Sequence, residues 1–139
     1  MTTEYRKPLP RPVNRELTRP FWDGARRREL MMPRCKRCDN LFWYPRRECP
    51  RCLAADVEWV RVSGKGRLHS FTVVRQPADA PFNTDVPYAY AVVQLDEGPR
   101  IVSNVVQCPV EKLRVDMPLV AVFEDVTPEW TLVKFRPAS

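Results

Sequence analysis

Four cysteines lie in two closely spaced pairs, Cys35 with Cys38 and Cys49 with Cys52. Each Cys-x-x-Cys turn can aim two sulfur atoms at one point, and two such turns supply the four thiolates of a tetrahedral Zn²⁺ site. Because the protein would fill all four positions, no coordination site would remain for water or substrate. The spacing therefore predicts one structural zinc ion and no chemistry at the metal.

Two other uses of paired cysteines have different requirements. Disulfides belong to oxidising compartments, and the chain opens with a polar segment that lacks the apolar stretch of a secretory signal. A redox dithiol is usually a single Cys-x-x-Cys near a βαβ pattern, whereas a segment rich in aromatic residues and arginine separates two pairs here. We therefore favour zinc and expect a cytoplasmic protein.

Short apolar segments follow each cysteine pair. Residues 41–45 and 56–61 are rich in aromatic and branched side chains and predict strands that leave the two pairs. The arrangement is that of a zinc ribbon spanning residues 31–62. Chains below about 40 residues usually need a metal or another cross-link because their core is too small. Metal loss should therefore unfold the ribbon.

The net charge of +6 raises the hypothesis of nucleic-acid binding. Residues 1–34 carry nine Lys and Arg against four Asp and Glu, and residues 35–62 carry six against four. Residues 63–139 carry eight against nine. A groove that tracks phosphates needs clustered positive charge, so the charge distribution argues against a nucleic-acid partner. No apolar run approaches the length of a membrane span, so no membrane association is expected.

The first thirty residues form a separate segment. Three prolines between positions 8 and 12 favour an extended arm, and Thr18 as N-cap predicts a short helix over residues 19–30. We expect Phe21 and Trp22 on such a helix to be exposed, because they are hard to bury in so small a chain, and they would either cap the ribbon or contact another subunit. Arg26 begins a run of three arginines that is either a solvated helix face or a contact for phosphate or an acidic partner. These three residues are the candidate interface.

Residues 63–139 have a β pattern. A Ser-Gly-Lys-Gly turn at 63–66 precedes five predicted strands, at residues 67–74, 88–96, 100–106, 119–125 and 131–135. Short antiparallel strands avoid exposed edges by closing into a barrel. The fold class is therefore mainly β, with a short N-terminal helix, a rubredoxin-like ribbon and a five-stranded OB-fold barrel. The loop over residues 76–87 is long enough to be functional.

Few residues are suited to catalysis. His69 is the only histidine, and a lone histidine inside a strand is more often structural. Cys108 is predicted to be buried and inert because no basic environment activates it. Asp96 and Glu97 lie in a turn, without a second acid to pair with. We therefore predict no catalytic residue.

The motifs occur in a specific order: FWDG at 21–24, CxxC at 35–38, YPR at 44–46, CPxC at 49–52, EWV at 58–60, SGKG at 63–66, SFTVV at 70–74, PY at 87–88 and LDEGPR at 95–100. This succession, over residues 20–136, resembles the zinc-ribbon/OB-fold accessory proteins encoded beside thiolases. The resemblance implies that zinc is held by the four paired cysteines. It also implies an obligate non-catalytic subunit in a hetero-oligomer with a thiolase-like acyl-CoA enzyme.

The resemblance further places the long loop and barrel near the acyl-CoA channel of the partner. Its documented settings suggest a steroid side-chain or aromatic acyl-CoA, with a thiolase, a retro-aldolase or, alternatively, a hydratase as partner. Phe82, Tyr88 and Tyr90 either line an acyl or adenine pocket or fill the barrel core, and Arg75 is a fourth channel candidate. A nucleic-acid-binding ribbon/OB protein is the remaining alternative.

Overall fold

The computed structural model describes residues 7–76 and 85–138. Its secondary structure is one α-helix followed by seven strands and a 3₁₀ turn, Val110–Lys112, between the fifth and sixth strands. The elements are α1 (Arg15–Arg26), β1 (Leu30–Cys35), β2 (Val57–Val62), β3 (Lys65–Val74), β4 (Tyr88–Leu95), β5 (Arg100–Val105), β6 (Pro118–Asp125) and β7 (Thr131–Pro137). No helix among these residues is long and apolar enough to cross a membrane.

The helix begins and ends four residues earlier than the sequence predicts. Asn14, not Thr18, is the N-cap, because the Asn14 side chain accepts a hydrogen bond from the Leu17 backbone N–H at 3.1 Å. Pro20 therefore lies inside α1, where it removes one backbone donor. Arg28 has a positive φ of 66°, which ends the helical path just before β1.

The ribbon sheet consists of β1 and β2, paired antiparallel from Leu30 opposite Val62 to Cys35 opposite Val57. The strand predicted at 56–61 is confirmed with a shift of one residue. The strand predicted at 41–45 is wrong, because only Leu41 forms an isolated bridge, with Arg34 of β1. Leu30, predicted as the last residue of the helix, is instead the first residue of β1, the strand that pairs with β2.

The remaining five strands close into a barrel in the order β3, β4, β5, β7, β6. The one parallel contact is between Val105 of β5 and Phe135 of β7; the other described pairs are antiparallel. The five predicted strands are confirmed, with ends that differ by at most two residues. Gly66 of β3 pairs with Leu95 of β4 and with Leu119 of β6, and a Cβ atom at Gly66 would collide with the carbonyl oxygen of Gln94.

One hydrophobic core runs through the ribbon, α1 and the barrel. Leu68, Val93 and Phe135 are fully buried inside the barrel. Leu30 and Met32 of the ribbon belong to the same contiguous cluster. The small ribbon therefore shares its apolar contacts with the barrel rather than burying a separate core.

A row of aromatic rings connects the barrel to the ribbon through α1, and we call it the aromatic bridge. The ring centroid of Trp130, which precedes β7, lies 5.1 Å from that of Trp22, and the Trp22 and Phe21 ring centroids are 5.0 Å apart. Phe21 in turn lies 4.8 Å from Trp43, which is 6.4 Å from Trp59 of β2. These spacings are those of favourable edge or tilted ring pairs. The aromatic bridge therefore fixes α1 against both neighbours.

The prediction of an exposed Phe21–Trp22 pair is thus wrong for Phe21, whose side chain is 7 % exposed. An ion pair also joins the end of α1 to the barrel. Arg28, just after α1, donates two hydrogen bonds to Asp125 of β6, at 2.9 and 2.6 Å. The Thr131 hydroxyl donates to the same carboxylate at 2.6 Å. Hydrogen bonds from Arg28 and then from Thr131 hold the pKa of Asp125 well below its ordinary value.

Candidate metal centre

The two cysteine turns have the same backbone construction. In the first, the Asp39 N–H donates to the Cys35 carbonyl at 2.8 Å, and in the second the Leu53 N–H donates to the Cys49 carbonyl at 2.9 Å. Asp39 and Leu53 both have a positive φ, of 62° and 64°. Each turn therefore reverses the chain tightly and presents both of its sulfur atoms on the same side.

All four sulfur atoms lie within 4.8 Å of one another. The Sγ atoms of Cys35 and Cys52 are 3.6 Å apart, and so are those of Cys38 and Cys49. Four sulfurs around zinc at about 2.3 Å would be about 3.8 Å apart in a regular tetrahedron. The four cysteines therefore fit a closed zinc site with a ligand pair from each turn.

Donors around the sulfurs favour their thiolate forms. The backbone N–H of Cys38 points to the Cys35 sulfur at 3.4 Å, and the backbone N–H of Arg51 points to the Cys49 sulfur at 3.3 Å. Burial opposes ionisation of Cys49, but the backbone N–H groups of Cys52 and Arg51, together with the Asn40 amide, lower its pKa to about 6.

The cluster does not accommodate four negative charges equally well without a cation. The backbone of Asn40 favours the Cys38 thiolate, yet burial and the neighbouring sulfurs of Cys49, Cys52 and Cys35 outweigh it and raise the pKa of Cys38 to about 12. A divalent ion would remove this repulsion, because metal binding and thiol deprotonation are coupled. This is the chemistry of a structural zinc donor set.

The barrel carries two adjoining depressions that meet at Asn104, Leu132 and Lys134. The larger, of about 520 Å³, is a groove between the arm, α1, the 43–45 segment, β5 and β7. Most of its lining is apolar; it includes Pro10, Pro12, Phe21, Trp22, Trp43, Pro45, Ile101, Val102 and Val133. We call this the barrel groove.

The smaller depression, of about 430 Å³, contains two of the four predicted channel residues. Tyr88 and Tyr90 line it, and Tyr90 is 50 % exposed, so this ring is not barrel core. Arg75 is exposed and does not line either depression, and Phe82 lies outside the described residues. Neither Asn104 nor Lys134 was predicted from the sequence, because strands distant in the chain bring them together.

The predicted interface residues have different environments. Trp22 is half-buried against Trp130, and Arg26 is exposed beside it in a cleft on the solvent side of α1. Arg15 lies over the Trp130 ring at 5.4 Å, and the cleft is lined by three arginines, Arg15, Arg19 and Arg26, against two acidic residues, Asp23 and Glu129. This surface is therefore basic and aromatic even though Phe21 is buried.

The groups considered for catalysis are not assembled into a site. His69 is exposed at an irregularity in β3, where the pairing register shifts between Leu68 and Ser70. Cys108 is half-buried rather than fully buried, and its thiol donates to the Pro109 carbonyl at 3.4 Å. In residues 7–76 and 85–138, neither side chain forms a hydrogen bond with a titratable group that could activate it.

Comparison with known proteins gives matches over both parts of the chain. Residues 22–58 match the rubredoxin-like zinc ribbon domain of ChsH2, and residues 59–124 match its C-terminal OB-fold domain. The chain is 35% identical over 115 residues to a DUF35 domain-containing scaffold protein of Methanothermobacter thermautotrophicus, which covers 82% of this chain and 86% of that protein.

Two further relatives are named as a hydratase subunit and as part of an aldolase. A probable enoyl-CoA hydratase alpha subunit of Thermomonospora curvata is 37% identical over 131 residues; the match covers 93% of this chain but 40% of that protein's length. A chain from a solved Ltp2-ChsH2(DUF35) aldolase superposes with a TM-score of 0.83 at 34% identity, covering 93% of this chain and 100% of that chain. The chain therefore belongs to the ChsH2/DUF35 family, in which a rubredoxin-like zinc ribbon precedes an OB-fold domain.

Proposed function

We propose that the protein is a non-catalytic accessory subunit of a heteromeric thiolase-superfamily enzyme, a thiolase or retro-aldolase that acts on a bulky acyl-CoA. The proposal rests mainly on the superposition of 93% of this chain on a chain of the Ltp2-ChsH2(DUF35) aldolase. The scaffold name of the Methanothermobacter relative supports it. Carbon–carbon bond chemistry would belong to residues of the partner.

The positions of the potentially reactive side chains agree with a non-catalytic role for this chain. Within the described part of the chain, the cysteines of the cluster face one another, and His69 and Cys108 lack an activating neighbour. The zinc proposed for the cluster would hold the two turns together and leave no open position for substrate. The metal would therefore stabilise the subunit without taking part in the reaction.

The barrel groove is the surface that we assign to the acyl-CoA channel. Its volume of about 520 Å³ falls in the range of small-molecule sites, and its walls are mainly apolar. Tyr88 and Tyr90 extend the same surface toward the ends of the loop over residues 76–87. A steroid side chain or an aromatic acyl group could lie against such a surface, with the thioester in the partner's active site.

The arm and the exposed side of α1 are the proposed contact with the partner. Arg26 is exposed, and Trp22 is half-buried in the basic cleft that also contains Arg15. Tryptophan and arginine are enriched at the energetic centres of interfaces. Phe21 contributes indirectly, since it holds α1 against Trp43 of the ribbon.

The second candidate partner, the compartment and the less favoured nucleic-acid role complete the same proposal. A hydratase partner is the second candidate, favoured by the hydratase name of the Thermomonospora relative, of which this chain spans only 40%. The cytoplasm is the proposed compartment, because a four-thiolate site requires cysteines that remain reduced. A nucleic-acid role is less favoured because the barrel segment carries no excess of positive charge.

A matched pair of variants tests the channel. Val102 is 39 % exposed and lines the barrel groove, whereas Val115 is 65 % exposed and does not. We expect Val102→Asp, in a complex co-expressed with the thiolase-like partner, to raise the KM for acyl-CoA at least about fivefold by placing a charge in an apolar site. Val115→Asp should leave KM unchanged, and size-exclusion chromatography should show both complexes intact.

An unchanged KM for Val102→Asp in an assembled complex would refute the channel assignment. Loss of the complex with Val102→Asp alone would instead assign the groove to subunit contact. Failure of the wild-type chain to co-elute with any thiolase-like or hydratase-like partner would refute the accessory-subunit proposal itself.

A further inference from the structure

The outer end of the zinc ribbon has an unusual combination of charge and apolar exposure. Arg37 lies between the first pair of cysteines and Arg51 between the second, and Arg46 and Arg47 precede the second turn. All four arginines are exposed, and none forms an ion pair with an acidic group in residues 7–76 or 85–138. We call these four arginines, with Leu53, the ribbon tip.

Leu53 is the most informative residue of the ribbon tip. Its side chain is 75 % exposed, so no packing within the described chain compensates for an apolar surface. Its φ of 64° is one that side-chain-bearing residues rarely adopt, Asn and Asp being the usual exceptions. The equivalent position of the first turn follows that rule, because it is occupied by Asp39 with a φ of 62°. Leucine is thus unfavourable for the free chain in both conformation and solvation.

Such an outlier indicates a function that offsets its cost. An exposed leucine two residues from the unpaired Arg51, on a turn next to the one that carries Arg37, is suited to a partner surface with an apolar pocket and an acidic rim. Exposed arginine side chains are enriched at protein interfaces, and complementary charge speeds encounter and selects the partner.

The cysteine turns of the ribbon tip lie at the end of the ribbon sheet that is away from the barrel. Leu30 and Val62 pair at the end of the ribbon sheet next to the barrel, and Cys35 and Val57 pair at the end next to the metal cluster. Five residue steps of about 3.3 Å place these ends about 17 Å apart. A contact made by the two cysteine turns is therefore additional to any contact through α1, and the ribbon tip adjoins the barrel groove only where Arg46 follows Pro45.

We propose that the ribbon tip is a second docking surface, which inserts Leu53 into an acidic-rimmed apolar pocket of the thiolase-like partner subunit. This inference rests on the proposed function, because it assigns a further surface to the same partner. The zinc cluster would hold Arg37 and Arg51 on adjacent turns so that both charges meet the same acidic surface.

The test compares single variants of the full-length chain for binding to the purified thiolase-like partner. We expect Arg51→Glu and Leu53→Gly each to weaken binding at least about tenfold. Arg114→Glu, which makes the same charge change at an exposed barrel position, should remain within about twofold of wild type. Increasing salt should weaken wild-type binding more than binding of Arg51→Glu, since the ion pairs are exposed.

Leu53→Gly supplies a readout that loss of folding would not produce. Glycine adopts a positive φ freely, so the melting temperature of the isolated variant should rise by about 2–8 °C while its binding weakens. Zinc content should match that of wild type in every variant. Higher stability combined with weaker binding would show that Leu53 serves docking rather than folding.

Several results would overturn the ribbon tip as a docking surface. A wild-type complex that forms normally and is equally tight with Arg51→Glu and Leu53→Gly would refute it while leaving the proposed function intact. Absence of any wild-type complex would refute both. Nanomolar binding of a single-stranded oligonucleotide that Arg51→Glu abolishes would show that the arginines serve phosphate contacts instead.

Discussion

Replacement of Phe21 by alanine tests how the ribbon and the barrel are held together. Phe21 is 7 % exposed and lies between Trp22 at 5.0 Å and Trp43 at 4.8 Å, at the centre of the aromatic bridge. Buried Phe→Ala changes cost about 3–5 kcal/mol in other proteins, because transfer free energy is lost and a cavity remains. Both ring contacts are lost as well, so we expect about 4 kcal/mol. That is a large part of the 5–15 kcal/mol typical of whole domains.

Tyr44→Ala is the matched control, because it removes another ring in contact with Trp43. Tyr44 lies 5.4 Å from Trp43 but is 55 % exposed, so its removal should cost less than about 1 kcal/mol. Both variants would be unfolded in urea with zinc present, and far-UV circular dichroism would be followed together with tryptophan fluorescence. The predicted difference between the two variants is about 3 kcal/mol.

Equal stability of the two variants would refute the reasoning, because the buried position of Phe21 would then contribute no more than an exposed ring. Two separate transitions in Phe21→Ala, against a single transition in wild type, would be the strongest support. They would show that the ribbon and barrel unfold independently once the aromatic bridge is broken.

Three further results are expected. Purified protein should contain about one zinc per chain by atomic absorption, and Cys38→Ser should lower that content and yield insoluble protein. Full solubility and an unchanged fold after complete metal removal would refute the structural role of zinc. Gly66→Ala should lower the melting temperature by several degrees, because the alanine Cβ would collide with the Gln94 carbonyl. An unchanged melting temperature would show that β3 and β4 can separate without cost. Because hydrogen bonds from Arg28 lower the pKa of Asp125, the ionised carboxylate should stabilise the fold at pH values above 3.8, its ordinary pKa. This contribution should be lost as the pH falls below 3.8. Asp125→Asn should abolish this part of the pH dependence of unfolding, and identical profiles would contradict it.

The strands of the barrel were predictable because β-branched and aromatic residues alternate between turn signals, and that pattern is local. The metal cluster was predictable for the same reason, since each cysteine pair lies within one turn of chain. The start of α1 was not predictable from the sequence, because Asn14 and Thr18 are both good N-caps. Which of them begins the helix depends on how the helix packs. Leu30 was misassigned because β1 is defined by its pairing with Val62, thirty-two residues away.

Burial of Phe21 and the composition of the barrel groove depended on tertiary structure. Nothing local to Phe21 indicates that Trp43 will lie beside it. Asn104 and Lys134 come from strands that are adjacent only after barrel closure, so their shared surface has no sequence signature. The cost of Leu53 also became visible only with its φ of 64° and its exposed side chain.

The accessory-subunit account is tested most directly by reconstitution from separately purified components. Acyl-CoA turnover would be measured while this chain is titrated into a fixed amount of the thiolase-like partner, with size-exclusion chromatography of each mixture. We predict no turnover by this chain alone, and partner activity that rises to a plateau at a fixed molar ratio as the two proteins begin to co-elute. Turnover by the isolated chain, or a partner that is fully active without it, would contradict the account.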